Sequence, residues 1–163
     1  MKIIKLDKSQ KDLVLPLLFD ILHSNMSRIA PTGSSYQEDL SFWISCVTSD
    51  LEKEAREILL IHNEDEIVGY FQYFVSGDTL AMEDIQFRDR YKGTGIFGEL
   101  YTYLIRVVPK DIEFVEAYAN KSNHKSIAVL NHLGLEIIGE NKNGISYHFK
   151  GKYENIFQRY SKK

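Results

Sequence analysis

The stretch Arg88–Tyr101, RDRYKGTGIFGELY, places a short basic loop with glycines between two regular elements. The segment before it, Leu80–Phe87, has the apolar pattern of a strand, and an amphipathic helix pattern covers Gly95–Val107. The first turn of a helix presents unpaired N–H groups and the positive end of the helix dipole. Glycines at positions such as Gly93 and Gly95 let a phosphate approach the backbone closely. The stretch therefore predicts a site for a pyrophosphate.

Several known phosphate loops compete for this stretch. Its glycines match the dinucleotide pattern G-x-G-x-x-G, but too few residues follow for a doubly wound sheet. A Walker loop ends in Gly-Lys-Ser/Thr, whereas Lys92 precedes the glycines here. The acyl-CoA loop R/Q-x-x-G-x-G/A fits completely as Arg90-x-x-Gly93-x-Gly95 and imperfectly as Lys92-x-x-Gly95-x-Phe97. An ordinary strand–turn–helix connection is the remaining alternative.

Two blocks of sequence resemble the GNAT superfamily of N-acetyltransferases. The first is Glu83–Phe87, EDIQF, followed by Tyr91–Ile96, YKGTGI; it is similar to that superfamily's strand, tyrosine and R-G-x-G-I-G loop. The second is Asn123–Leu135, NHKSIAVLNHLGL, which resembles the superfamily's N-x-x-S-I-x-x-x-x-x-L-G-F helix. The Glu-Asp pair resembles that of the polyamine acetyltransferases. Ribosomal-protein N-terminal acetyltransferases are the other local likeness.

The order of elements predicts an α/β fold. An antiparallel meander comes first, and a helix then leads to a strand that should lie parallel to the third strand of the meander. The resemblance implies a single-domain GNAT-like fold with a mixed central sheet, a splayed parallel strand pair and flanking helices. We predict strands at 2–6, 57–62, 67–76, 80–87, 112–119, 135–139 and 145–150, and helices at 9–22, 36–54, 95–107, 123–133 and 153–160.

One domain, residues 1–163, is expected from the length. Its parts would be a strand with acceptor-side helices at 1–56, the meander with the pyrophosphate loop and helix at 57–108, and a second strand, helix and hairpin at 109–163. In the superfamily the first two helices and their loop cover the acceptor. We expect Trp43, in the second of these helices, to belong to the core.

Composition limits the partners. The net charge is −3, with 20 basic and 23 acidic residues interspersed, which argues against a nucleic-acid surface. No apolar run is long enough to span a membrane, and the strand-like start does not resemble a signal peptide. Cys46 is the single cysteine, which favours a cytoplasmic protein. The histidines lack metal-ligand spacing, so we expect no metal. A homodimer is left open.

The resemblance implies acetyl-CoA as co-substrate. Its pantetheine arm would contact the backbone of the strand that precedes the loop, and its pyrophosphate would lie on the loop. Asn123 would contact the pantetheine or cap its own helix. The implied cofactor-binding residues are Ile85, Gln86, Phe87, Arg90, Lys92, Gly93, Thr94, Gly95, Ile96, Phe97 and Asn123.

The implied reaction is direct attack of a primary amine, on a small molecule or a protein N-terminus, on the thioester. A protonated amine needs a base, and Glu83 and Asp84 are the candidates; adjacent strand residues point to opposite faces. The backbone N–H of Phe87 would stabilise the oxyanion. Leu130 occupies the position of the superfamily's general-acid tyrosine, so Tyr118 is the substitute candidate. Leu130, together with Phe97 at the expected glycine, also motivates an alternative: a catalytically weak or inactive GNAT-like CoA-binding module.

Overall fold

The computed structural model describes residues 1–53 and 55–162. Glu54, at the end of the predicted second helix, and Lys163, at the end of the predicted domain, lie outside the described residues. The strands are β1 Lys2–Lys5, β2 Arg56–Asn63, β3 Glu66–Ser76, β4 Thr79–Phe87, β5 Phe114–Asn120, β6 Glu136–Glu140 and β7 Ser146–Lys152. The helices are α1 Lys11–Met26, α2 Tyr36–Leu51, α3 Ile96–Val107, α4 His124–His132 and α5 Tyr153–Tyr160.

The strands form one mixed sheet in the order β1-β2-β3-β4-β5-β7-β6. β1 is antiparallel to β2, while β7 is antiparallel to both β5 and β6. β2, β3 and β4 follow one another through two-residue turns, which join neighbouring antiparallel strands. β4 and β5 are parallel, as the intervening helix requires. The predicted α/β fold with a mixed sheet is confirmed.

The parallel pairing of β4 with β5 is short. It runs from Thr79 opposite Phe114 to Met82 opposite Ala117, and β4 then continues to Phe87. The part of β4 beyond Met82 is the part to which the resemblance assigns the pantetheine arm.

The chain divides into two compact units, and the first comprises residues 1–73 and 84–94. In its core, side chains of α1 and α2 pack with those of β2 and with Tyr70 of β3. The buried core residues are Leu6, Leu15, Leu18, Val47, Leu51, Ile58, Leu60 and Tyr70. Trp43 is half-buried and packs against this core, as predicted. α2 begins with a capping box, in which Ser35 and Glu38 exchange backbone and side-chain hydrogen bonds.

Three apolar residues of α1 and α2 lie on exposed sides of their helices, although their spacing along the sequence is helical. Leu13 and Phe42 are each 74% exposed and Leu17 is 50% exposed. The buried positions of α1 are Leu15, Leu18, Phe19 and Ile21, and Leu13 and Leu17 lie on another side of the helix. Phe42 and Trp43 are adjacent in α2, and one residue corresponds to about 100° of rotation around the helix axis. Their side chains therefore lie on different sides of the helix.

Helix boundaries also differ from the predictions. α1 continues to Met26, four residues past the predicted end at 22, and Pro16 lies inside it. The sequence favoured an earlier end because Ser24 opens a stretch rich in serine, proline and glycine. β5 begins at Phe114, whereas the prediction began at 112. Ile112 is nonetheless buried, so its apolar character reflects packing outside the strand.

The second unit comprises residues 74–83 and 95–163. α3 and α5 contact each other there, and Tyr101 stacks on Tyr160 with ring centroids 5.2 Å apart. The hydroxyl of Tyr101 also contacts Met82 Sδ at 3.7 Å. Gly134, at φ 84°, follows the end of α4 in a left-handed conformation that glycine adopts without strain.

Among residues 1–53 and 55–162, no helix combines the length and apolarity needed to cross a bilayer. The same residues contain no cluster of three or more histidine, cysteine or acidic side chains that could hold a metal ion.

Candidate functional site

The glycines of the loop adopt conformations that other residues disfavour. Gly93 has φ 79° and Gly95 has φ 87°, and α3 begins immediately afterwards at Ile96. A Cβ atom at either glycine would meet no heavy atom within 4 Å, so open space adjoins the backbone there. The backbone N–H groups of Gly98 and Glu99 both donate hydrogen bonds to the carbonyl oxygen of Gly95. Open space beside left-handed glycines at a helix start fits an anion such as a pyrophosphate.

The two cationic side chains of the loop have partners in the first unit. Arg90 forms an ion pair with Glu66 at the β2–β3 turn, and its guanidinium lies over the ring of Tyr91. Proximity to the Glu66 carboxylate raises the pKa of Arg90, so it stays cationic. Lys92 Nζ donates to Asn25 Oδ1 at 2.7 Å and to Asp89 Oδ1 at 2.5 Å. Contact of either residue with CoA stays a prediction.

The side chains of the remaining loop residues contact other groups of the protein. Thr94 Oγ1 donates to the carbonyl of Tyr91 at 2.6 Å. Ile96 is buried, and the Phe97 ring stacks on Tyr101, one helical turn later, at 6.4 Å. Phe97 therefore packs along α3, which explains how this helix accommodates a large residue where the motif expects glycine or alanine.

At the end of β4, Phe87 is buried, while Ile85 and Gln86 are half-buried. A Cβ atom at Gly69 of β3 would overlap the Phe87 ring and approach the Gln86 carbonyl oxygen to 2.7 Å. Only glycine fits at position 69, and its absence of a side chain lets β3 and β4 lie this close. The end of β4 is thus held against β3.

The two candidate bases differ in environment. Glu83 is exposed, and Asp84 is half-buried. Asp84 Oδ2 accepts a hydrogen bond from the hydroxyl of Tyr70 at 2.5 Å, and Oδ1 accepts one from Gln86 Nε2 at 2.8 Å. Burial, the charge of Asp84 and this hydrogen bond together raise the pKa of Tyr70, so Tyr70 remains a donor. A carboxylate that already accepts two hydrogen bonds is a weaker base, because each bond stabilises its charged form.

An aromatic cluster of α1 and α2 adjoins Tyr70. Trp43 packs edge-on to Tyr70 at 6.3 Å and lies 5.7 Å from Phe19. Phe19 in turn contacts Tyr36 and His23, which are 4.7 Å apart. Aromatic faces beside a carboxylate favour the binding of a cationic group.

Tyr118, the substitute candidate for the general acid, is 53% exposed on β5. Its ring stacks on that of His148 in β7, 4.4 Å away and nearly parallel. His148 Nε2 lies 3.2 Å from Glu116 Oε2. The sequence did not indicate this Glu116–His148–Tyr118 group, because β7 lies far from β5 along the chain.

The second motif block forms α4 as predicted. Asn123 is its N-cap, and its Oδ1 accepts from the backbone N–H of Ser126 at 3.2 Å. The structure thus confirms the capping role, and contact of Asn123 with pantetheine stays a prediction. Leu130 is buried. It belongs to the core rather than to a reacting surface.

A protein-family model describes this combination of loop and helix. The model of the acetyltransferase (GNAT) family matches residues 17–135, which include both motif blocks. The chain belongs to this family. No curated protein matches its sequence.

Solved structures of acetyltransferases share the fold at low sequence identity. The PaiA N-acetyltransferase from Thermoplasma acidophilum, in complex with coenzyme A, has a TM-score of 0.72 and 13% identity, covering 93% of this chain and 98% of that one. Mutant forms of the spermidine/spermine N-acetyltransferase SpeG from Vibrio cholerae have a TM-score of 0.63 and 9% identity, covering 97% and 96%. The aminoglycoside acetyltransferase AAC(6')-Ib in complex with coenzyme A has a TM-score of 0.64 and 12% identity, covering 97% of each chain.

Family membership confirms the predicted activity at the level of the reaction. The protein is an acetyl-CoA-dependent N-acetyltransferase, and acetyl-CoA is its co-substrate.

Proposed function

We propose that the acceptor is a small cationic amine. The supporting observation is the Asp84 carboxylate, held by Tyr70 beside an aromatic cluster that includes the half-buried Trp43 and the exposed Tyr36. An alkylammonium is attracted both by a carboxylate and by the faces of aromatic rings. The fold shared with a spermidine/spermine acetyltransferase agrees with such an acceptor. A protein N-terminus is the second candidate acceptor.

Acetyl-CoA would bind through backbone groups more than through charge. We assign its pyrophosphate to the amides of residues 92–97 and its pantetheine arm to the backbone of residues 85–87. The left-handed glycines and the open space beside them support the first assignment. The end of the β4–β5 pairing at Met82, short of the end of β4, supports the second.

In the proposed mechanism the carboxylate of Glu83 removes a proton from the acceptor ammonium, directly or through water. The free amine nitrogen then attacks the thioester carbonyl carbon, and the oxyanion is stabilised by the backbone N–H of Phe87. As the tetrahedral intermediate collapses, the C–S bond breaks and the nitrogen releases its second proton to water, which leaves the neutral amide. The departing thiolate takes a proton from Tyr118 or from water. Asp84, with two hydrogen bonds already accepted, holds the cationic acceptor electrostatically.

We further propose that residues 1–163 act as one cytoplasmic domain, without a nucleic-acid or membrane partner. The interspersed charges and the single, exposed thiol of Cys46 agree with this.

The experiment is a thiol-release assay with acetyl-CoA over a panel of polyamines, diamines, aminoglycosides and peptides with free N-termini, alongside thermal shift with CoA. We expect release that depends on small cationic amines, and a stabilising shift with CoA. Release that depends only on peptides would replace the proposed acceptor with a protein N-terminus. A CoA shift with no turnover on any amine would favour the CoA-binding module.

A further inference from the structure

Asn25, close to the end of α1, uses every polar group of its side-chain amide. Its Nδ2 donates to Gln86 Oε1 and to the backbone carbonyl of Phe87, each at 2.9 Å. Its Oδ1 accepts from Lys92 Nζ at 2.7 Å. One residue of α1 therefore joins the end of β4 to the lysine of the pyrophosphate loop.

Three side-chain hydrogen bonds connect four residues in series, and in each bond the donor lies on the side of Lys92. The ammonium of Lys92 donates to Asn25, the amide of Asn25 donates to Gln86, and the amide of Gln86 donates to Asp84 at 2.8 Å. The chain starts at a cation and ends at an anion, and hydrogen bonds aligned in this way polarise one another. Each amide has one orientation that satisfies both neighbours, because a flipped amide would place N–H against N–H and oxygen against oxygen.

The far end of the chain is fixed by a buried residue. The hydroxyl of Tyr70 donates to the second oxygen of Asp84 at 2.5 Å, and the Tyr70 side chain is part of the core. Rotation of the Asp84 carboxylate would break two hydrogen bonds. The near end is held by Asp89, which also accepts from Lys92.

We propose that Asn25 is a positioning residue that holds Lys92 for the pyrophosphate of acetyl-CoA and, through Gln86, holds Asp84 for the acceptor amine. This inference rests on the proposed function, which assigns those two tasks to Lys92 and Asp84. Asn25 itself touches neither substrate. The Nδ2 group of Asn25 supports binding of the acceptor amine, and its Oδ1 atom supports binding of CoA.

Two substitutions separate the two sides of Asn25. Asn25→Asp keeps the volume and the acceptor for Lys92 but removes both donors, so Gln86 no longer holds Asp84 in one orientation. We expect the KM of the amine to rise about tenfold, the effect of losing a hydrogen bond to a charged group, while kcat and the Kd of CoA stay within about twofold. Asn25→Leu removes both the donor and the acceptor, and we expect the same rise in the KM of the amine together with a Kd of CoA raised about two- to threefold, as in Lys92→Ala.

Double-mutant cycles distinguish positioning from a general loss of structure. Asn25→Leu combined with Asp84→Asn should raise the KM of the amine no further than Asp84→Asn alone, and Asn25→Leu combined with Lys92→Ala should raise the Kd of CoA no further than Lys92→Ala alone. Additive effects in both cycles would overturn the inference. The matched control is Asn63→Asp, which removes a half-buried amide donor whose partner is the hydroxyl of Tyr91, at 3.0 Å. It should leave the KM of the amine, kcat and the Kd of CoA within about twofold of the wild type.

The wild-type protein reports separately on the proposed function. If it turns over amines and binds CoA while the Asn25 variants match it, only the role of Asn25 is wrong. If it binds CoA without turnover, the proposed acceptor chemistry is wrong. The double-mutant cycle of Asn25→Leu with Lys92→Ala, measured as the Kd of CoA, then still tests whether Asn25 Oδ1 holds Lys92. If it binds no CoA, the proposed function and this inference both fall.

Discussion

Gly95 is the residue on which the proposed CoA site depends most, because it combines φ 87° with the position directly before α3. We predict that Gly95→Asp lowers CoA affinity at least tenfold. The aspartate would place a negative charge against the pyrophosphate, in a conformation that side chains disfavour. Isothermal titration with CoA measures the effect.

Gly33 supplies a matched control for that substitution. It has φ 80°, and a Cβ there would also meet nothing within 4 Å, yet it lies in the α1–α2 loop. Gly33→Asp should cost similar stability, about 1 kcal/mol, and leave CoA affinity unchanged. A folded Gly95→Asp protein with native CoA affinity would move the pyrophosphate site elsewhere.

The charge of Lys92 is expected to matter less than the backbone. Lys92 is exposed and already pairs with Asp89, so Lys92→Ala should weaken CoA binding only about two- to threefold. The same titration measures this change at low and high salt. A loss as large as that of Gly95→Asp would show that charge, rather than backbone geometry, dominates phosphate binding.

Substitution by the isosteric amides distinguishes the roles of the two adjacent carboxylates, Glu83 and Asp84. Glu83→Gln should lower turnover at neutral pH by about one to two orders of magnitude with little change in CoA affinity, since a general base is lost. The rise of rate with pH should move toward the pKa of the amine itself. Asp84→Asn should chiefly raise the KM of the amine, because the negative charge beside Tyr70 is lost. If Asp84→Asn damaged kcat more, Asp84 would be the base; if neither mattered, the pair would be structural.

At the scale of the element, α2 begins at Ser35 through its capping box with Glu38. Ser35→Ala should lower the free energy of unfolding by about 1 kcal/mol, because the N–H of Glu38 loses its acceptor. Urea unfolding at neutral pH measures the change. Ser45→Ala, on the exposed face of the same helix, should be neutral or slightly stabilising. Equal losses from both serines would argue against the cap.

Element types could be predicted from the sequence because each depends on local patterns. Residue type and position are enough to predict the left-handed glycine after α4 and the glycine loop before α3. Which face of a helix is buried was less predictable for α1 and α2. Both helices carry apolar residues on more than one side, as exposed Leu13 and Phe42 show, and periodicity alone cannot rank such faces.

At the scale of the whole molecule, buried tyrosines make stability depend on alkaline pH. Burial raises the pKa of Tyr101, and burial with the neighbouring Asp84 raises that of Tyr70; burial also raises the pKa of Tyr153 to about 12. Above about pH 10 the unfolded chain loses these protons while the folded protein keeps them. The free energy of unfolding should therefore fall with rising pH.

The predicted slope above pH 10 is about 1 kcal/mol or more per pH unit, and urea unfolding at a series of pH values measures it. Tyr101→Phe removes one such group and should reduce the slope. A slope unchanged by this substitution would mean that Tyr101 ionises alike in both states.

Candidate site residues within one motif could be predicted, whereas those assembled by the fold could not. Asn25 is separated from Gln86 by 61 residues, and His148 from Glu116 by 32. Asparagine at the end of a helix has no pattern that points to a lysine in a distant loop. The Tyr70–Asp84 hydrogen bond likewise depends on the register of β3 and β4, which hydrophobic alternation does not specify for single side chains.

The most direct test of the account measures acetyl transfer itself: CoA release and acetylated amine, quantified together, with purified protein, acetyl-CoA and a polyamine. We predict that the two products form in equal amounts, that both require the protein and the amine, and that Glu83→Gln reduces both together. Tight CoA binding without amine-dependent product from any cationic amine or peptide would contradict it.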